Sequence, residues 1–141
     1  MAKKGFTLIE LLVTITIIGL LVTIVIVNVQ NSRAMAHDVN IQRFMYQLRN
    51  AAQFSYNQIE SYEGVCDESN NTLSDSGDFG FLEDALEKEN SGQVVTCFES
   101  ADGEGFAVSF PLVASKGKHW CVEAAGAGIE INAPITSASC K

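Results

Sequence analysis

Proline and glycine are both missing from Asn28 to Ser61, so nothing in that stretch forces the chain to turn. Histidine is scarce as well: His37 and His119 are the only two, and no sequence logic brings them together. There is no nucleophile elbow, no Walker loop and no paired metal motif, so the chain does not read as an enzyme, and no cofactor or metal is expected. Cations are few too, with 9 Lys and Arg against 17 Asp and Glu and a formal charge of −8. From Glu63 to Lys141 the balance is 14 Asp and Glu against 4 Lys. A nucleic-acid surface needs clustered cations that release counterions, and this half of the chain offers the reverse. Acidity on this scale favours solubility and mutual repulsion.

Cysteine is absent from the first 65 residues, and the four that exist are Cys66, Cys97, Cys121 and Cys140. An even number confined to one end reads as two disulfides formed in an oxidising compartment. Three connectivities are open at this point. A four-thiolate zinc site is disfavoured because no Cys-x-x-Cys pair is present.

The longest apolar run stands at the other end of the chain. From Phe6 to Val27, 16 of 22 residues are apolar and only Glu10 is charged. As a helix that run spans ~33 Å, enough to cross a bilayer core. Lys3 and Lys4 precede it and mark its start as cytoplasmic, while no small-residue cleavage site follows it. A lone carboxylate inside such a segment needs a partner or a function.

After Val27 the sequence turns polar but keeps a helical stripe of Ile41, Phe44, Met45, Leu48, Ala52, Ile59 and Tyr62. One helix from near Phe6 to near Tyr62 is predicted, ~80 Å long. Glu63 and Gly64 end it, and Val65 to Gly80 reads as a polar loop. Phe81 to Glu89 is predicted as a short amphipathic helix with Phe81, Leu82, Ala85 and Leu86 inward. Strands are expected at Val94 to Glu99, Phe106 to Leu112 and His119 to Ala124, with a weaker fourth from Gly128 to Asn132. The apolar sheet face, with Val108, Phe110, Trp120 and Val122, is expected to lie under the helical stripe. Ser109, Phe110, Pro111 and Trp120 read as strand end and core rather than an adhesive patch. The fold class is therefore α+β: a long N-terminal helix packed on a small antiparallel sheet of three or four strands.

Acidic pairs at Asp75 and Asp78 and at Asp102 and Glu104 offer candidate oxygens for calcium. Neither segment follows a 12-residue EF-hand pattern, and solvated acidic loops are the better reading.

The junction Gly5, Phe6, Thr7, Leu8, Ile9, Glu10, behind a basic leader and ahead of a long apolar run, resembles the class III signal of type IV pilins and pseudopilins. The resemblance covers Lys3 to the end of the first helix. It implies cleavage between Gly5 and Phe6 by a prepilin peptidase, N-methylation of Phe6, and pairing of Glu10 with the terminal amine of a neighbouring subunit. The segments it implies are a cleaved leader at 1–5, a transmembrane and polymerisation helix at 6–27, its amphipathic continuation at 28–62, and a disulfide-stabilised head at 63–141. Among the connectivities, Cys66 with Cys97 and Cys121 with Cys140 is expected, since each closes a contiguous loop and the second resembles the C-terminal loop of many pilins. Gly19 matches a helix-weakening glycine of the family, whereas Val27 stands where a proline is common.

The function so implied is a structural subunit of an extracellular filament that begins as a single-pass inner-membrane precursor. Its partners would be copies of itself and related pilins, the peptidase, and the inner-membrane platform with its assembly ATPase. A type II secretion pseudopilin is the alternative within the family. An adhesin or DNA-uptake subunit is the alternative of another class, the second disfavoured by the acidic head.

Overall fold

The computed structural model describes residues 5–126 and 128–141; Lys3 and Lys4 of the basic leader and the side chain of Val27 lie outside the described residues. Residues 1–34 and 35–141 form two compact units. Helix α1 runs Leu8–Ile59. In the first unit its described side chains from Leu8 to Ile26 are all exposed, and the backbone stays helical through Gly19 and the β-branched run that ends at Val27.

In the second unit the rest of α1 packs on an antiparallel meander. The short pair β1 (Cys66–Asp67) and β2 (Thr72–Leu73) comes first, then helix α2 (Asp78–Glu89). The four-stranded sheet follows in the order β3 (Thr96–Glu99), β4 (Phe106–Pro111), β5 (His119–Glu123), β6 (Ile129–Ile131). Its turns need a left-handed backbone at Gly103 (φ 70°) and Gly117 (φ 80°), which glycine adopts without a Cβ clash.

Register decides which side chains meet α1. Val108 pairs with Val122 and Phe110 with Trp120, which puts them on one face, where Phe106 joins them. Against them lie Ile41, Met45, Leu48 and Ala52, spaced four, three and four apart along α1 and all buried. Trp120 is partly buried there, its ring 6.2 Å from that of Tyr46. Truncating a side chain so enclosed, such as Phe110→Ala, typically costs about 3–5 kcal/mol.

Several sequence expectations are corrected. Ile59 is 58% exposed: Glu60 takes φ 55°, the helix stops, and Tyr62 is buried in the core beyond its end. There the Tyr62 N–H donates to the Gly103 carbonyl at 2.9 Å, and its ring lies 4.9 Å from Phe106. Phe81 is 71% exposed, because α2 begins three residues earlier than predicted. Its inward set is Phe79, Leu82 and Leu86, spaced three and four apart, which turns Phe81 outward. The Val65 to Gly80 segment is not simply a polar loop, since it carries β1 and β2 and buries Val65, Cys66 and Leu73.

The sheet's second face is also covered. Ala107 and Ser109 point away from α1 yet are fully buried, beneath the C-terminal segment that brings Ile135 and Cys140 over Cys121. The Ile135 N–H donates to Ser109 Oγ at 3.2 Å. The Cys140 N–H donates to Glu123 Oε2 at 2.8 Å. β4 is thus sandwiched between two apolar layers.

Polar side chains on α1 tie it to the loops beyond the sheet. Asp38, 8% exposed, accepts from the Val113 N–H at 2.6 Å and the Ala114 N–H at 3.2 Å. Arg49 donates to the carbonyls of Glu123 and Ala124. Asp38→Ala leaves two amides of a part-buried loop without their acceptor, and should lower unfolding stability by about 2–3 kcal/mol, as read by denaturant titration; Asp38→Asn, which keeps an oxygen there, should cost less.

Candidate processing and assembly site

The residues singled out by the sequence fall at two places, one in each unit. In the first unit Gly5, Phe6 and Thr7 precede α1 in a non-helical, exposed stretch, with Phe6 78% exposed. A peptidase needs a reachable peptide bond, and Gly5–Phe6 is exposed immediately before the helix closes the backbone into hydrogen bonds.

Thr7 caps that helix, and Glu10 completes the cap. The Thr7 N–H donates to Glu10 Oε2 at 2.9 Å and the Thr7 hydroxyl donates to the same oxygen at 2.8 Å. In return the Glu10 N–H approaches Thr7 Oγ1 at 3.4 Å. This is a reciprocal capping box, which satisfies amides that the first turn would otherwise leave without partners. It also holds the carboxylate at the positive end of the helix dipole. Sequence reasoning assigned Glu10 a distant partner and missed this local one. The signal was available as Thr-x-x-Glu ahead of an apolar run.

Beyond Glu10, Thr14, Thr16 and Thr23 each turn their hydroxyls onto the carbonyl three residues back, at 2.7, 2.8 and 2.8 Å. The hydroxyls are thereby satisfied within the helix, and the surface that α1 presents around them is apolar. This helix is long and apolar enough to cross a membrane. The capped start and the self-satisfied threonines suit apolar surroundings, where an unpartnered polar group is costly.

In the second unit the cysteines are joined as Cys66–Cys97 and Cys121–Cys140. The first ties the β1–β2 pair to β3 on the α1 side of the sheet, and the second ties the C-terminal segment to β5 on the opposite side. The Cys66 N–H also donates to Glu99 on β3.

The histidines stay apart in role. His37 Nδ1 lies 2.7 Å from Glu89 on α2, whose carboxylate also accepts from Asn40. His119 sits at the start of β5, and burial holds its pKa below the usual histidine value. Of the acidic pairs, Asp102 shapes the β3–β4 turn by accepting from the Ser100 hydroxyl at 2.6 Å and the Glu104 N–H at 3.1 Å. These bonds hold its carboxyl below the ordinary range, the Ser100 hydroxyl contributing most. Among the described residues, no three His, Cys, Asp or Glu side chains converge to hold a metal ion.

Comparison with known families matches residues 1–26 to the Prokaryotic N-terminal methylation motif. Comparisons with curated proteins and with solved structures found no match. The matched segment holds the exposed Gly5–Phe6 bond, the Thr7–Glu10 cap and most of the apolar run, which fits a membrane-anchored precursor. Residues 1–26 are thus an N-terminal methylation motif, the class III signal that precursors of type IV pilins and pseudopilins carry.

Proposed function

We propose that the chain is a structural subunit of an extracellular type IV pilus-like filament. It is cut between Gly5 and Phe6 by a prepilin peptidase, N-methylated on Phe6, and polymerised from the inner membrane through α1 by a platform and its ATPase. The observation that carries this reading is the methylation motif set on an exposed junction at the start of a helix whose described side chains from Leu8 to Ile26 are exposed and mostly apolar.

The capping box bears directly on assembly. Thr7 and Glu10 both lie beyond the cut, so their mutual bonds survive processing. Cleavage leaves a cationic amine on Phe6, one residue before the cap. Glu10 Oε2 is engaged by Thr7, whereas no described residue donates to Oε1. An amine from a neighbouring subunit is the natural partner for that second oxygen. Opposite charges attract strongly when water is excluded, while an unpaired charge among apolar side chains is unfavourable, so the pairing fixes the axial offset between helices. The exposed face of Leu8 to Ile26 supplies the burial, and the charge supplies the register.

Electron microscopy of material sheared from cells that produce the protein tests the reading. Thin filaments that contain this chain are expected. Recovery of the chain solely as isolated copies in the membrane would overturn it.

A further inference from the structure

The chain contains one Asn-x-Ser/Thr triplet, Asn70-Asn71-Thr72, and the fold places it at the tip of the β1–β2 pair. This triplet is the acceptor pattern for N-linked glycans when it lies on a surface loop of an exported chain. Asn70 is exposed.

The local hydrogen bonds divide its amide into a used half and an unused half. Asn70 Oδ1 accepts from the Thr72 N–H at 3.1 Å and from the Thr72 hydroxyl at 2.8 Å. Asn70 Nδ2 meets no acceptor among the described residues, so the nitrogen is left toward solvent. A turn stabilised by its own asparagine requires the bond from the backbone amide alone, and an aspartate would serve it as well. The second bond, from the hydroxyl two residues on, is what the triplet adds.

The surroundings fix this arrangement on the surface of the head. Asp67 closes the turn, accepting at its side chain from the Ser69 N–H at 2.9 Å and at its carbonyl from the Asn71 N–H at 2.9 Å. The Asn71 carbonyl accepts from the Cys97 N–H at 2.8 Å, and the Cys66–Cys97 bond anchors the base. Glu68, exposed two residues ahead of Asn70, adds a carboxylate that a cationic group on a modifying enzyme can meet.

We propose that Asn70 is an acceptor for an N-linked glycan. The donor class is a saccharide carried on an isoprenoid diphosphate, used by a membrane oligosaccharyl transferase on the outer side. Asn70 Nδ2 forms a bond to the sugar's anomeric carbon as the bond from that carbon to the diphosphate oxygen breaks. The lipid diphosphate leaves with the electron pair, and one amide proton passes to a base of the transferase. No redox change is involved.

The test is tandem mass spectrometry of the chain isolated from cells that produce it, on the peptide that spans Asn70. Wild type and Thr72→Ser should carry added mass in saccharide steps on Asn70, with lower occupancy in the serine variant. Asn70→Asp keeps the oxygen that Thr72 bonds but loses the acceptor nitrogen, and Thr72→Val loses the hydroxyl; in both, the added mass should fall below detection. An unmodified Asn70 in the wild-type chain overturns the proposal, as does added mass that persists in Asn70→Asp. The readout does not depend on whether filaments form, so it succeeds or fails separately from the assembly reading.

Discussion

Replacing Glu10 by glutamine should leave cleavage after Gly5 intact and reduce surface filaments below detection. Glutamine is accepted at this position of a capping box, so the first turn of α1 keeps its bonds to Thr7 and loses the negative charge alone. Glu10→Leu removes charge and cap together and should give the same loss. A matched change at Thr7 separates the two roles: Thr7→Val deletes the hydroxyl but leaves the Thr7 N–H to bond the carboxylate, and filaments should persist at reduced yield. Immunoblots for the processed form and microscopy of sheared material read both steps. Normal filaments from Glu10→Gln would remove charge pairing from the account and leave α1 packing alone to set the register.

The second large effect concerns the C-terminal segment. Opening Cys121–Cys140 by a double Cys→Ser change frees the strand of chain that lies over Ala107 and Ser109. The bridge closes a loop with a sequence separation of 19, for which the chain-entropy model gives about 3 kcal/mol. For a folded unit of this size that loss should lower the melting temperature by on the order of 10–15 °C. Detachment would also expose a buried hydroxyl at Ser109, leave the Ile135 N–H without its acceptor and strip Glu123 of its bond from Cys140. Limited proteolysis of the detergent-solubilised chain should therefore cut after β6 well before it cuts elsewhere. A variant that melts within a few degrees of wild type and keeps its C-terminal peptide protected would show that Ile135 and its neighbours hold the segment without the bridge.

These layers differed in how far they could be read from sequence. α1 and the four strands of the sheet were legible because their periodicities are unbroken: Ile41, Met45, Leu48 and Ala52 repeat at helical spacing, and Phe106, Val108 and Phe110 alternate. The second apolar layer was not, since Ala107 and Ser109 are small enough to pass for a solvent face. Their cover from the C-terminal segment is Ile135 and Cys140, which carry no periodicity. Phe81 misled because hydrophobicity alone does not fix where a helix begins. Once α2 starts at Asp78, Phe79 takes the inward position and Phe81 cannot share it. The hairpin at Cys66 to Leu73 was hidden by strands of two residues each, too short for any alternation. At the Gly5–Phe6 junction the order of residues was visible, but the bond from Thr7 to Glu10 emerged with the geometry.

His37, Asn40 and Glu89 illustrate a related limit. Glu89 lies 52 residues from His37 and 49 from Asn40 in sequence, yet the three form one polar cluster between α1 and α2. Nothing in local spacing joins residues on two helices separated by a hairpin, so contacts of this kind require the fold.

Where the mature chain begins decides between a processed filament subunit and an uncleaved membrane anchor. Peptide sequencing by mass spectrometry of the protein taken from sheared filaments should find an N-terminal peptide that starts at N-methylated Phe6 and continues through Thr7 to Glu10. A native chain whose first peptide still contains Lys3 and Lys4 would contradict processing.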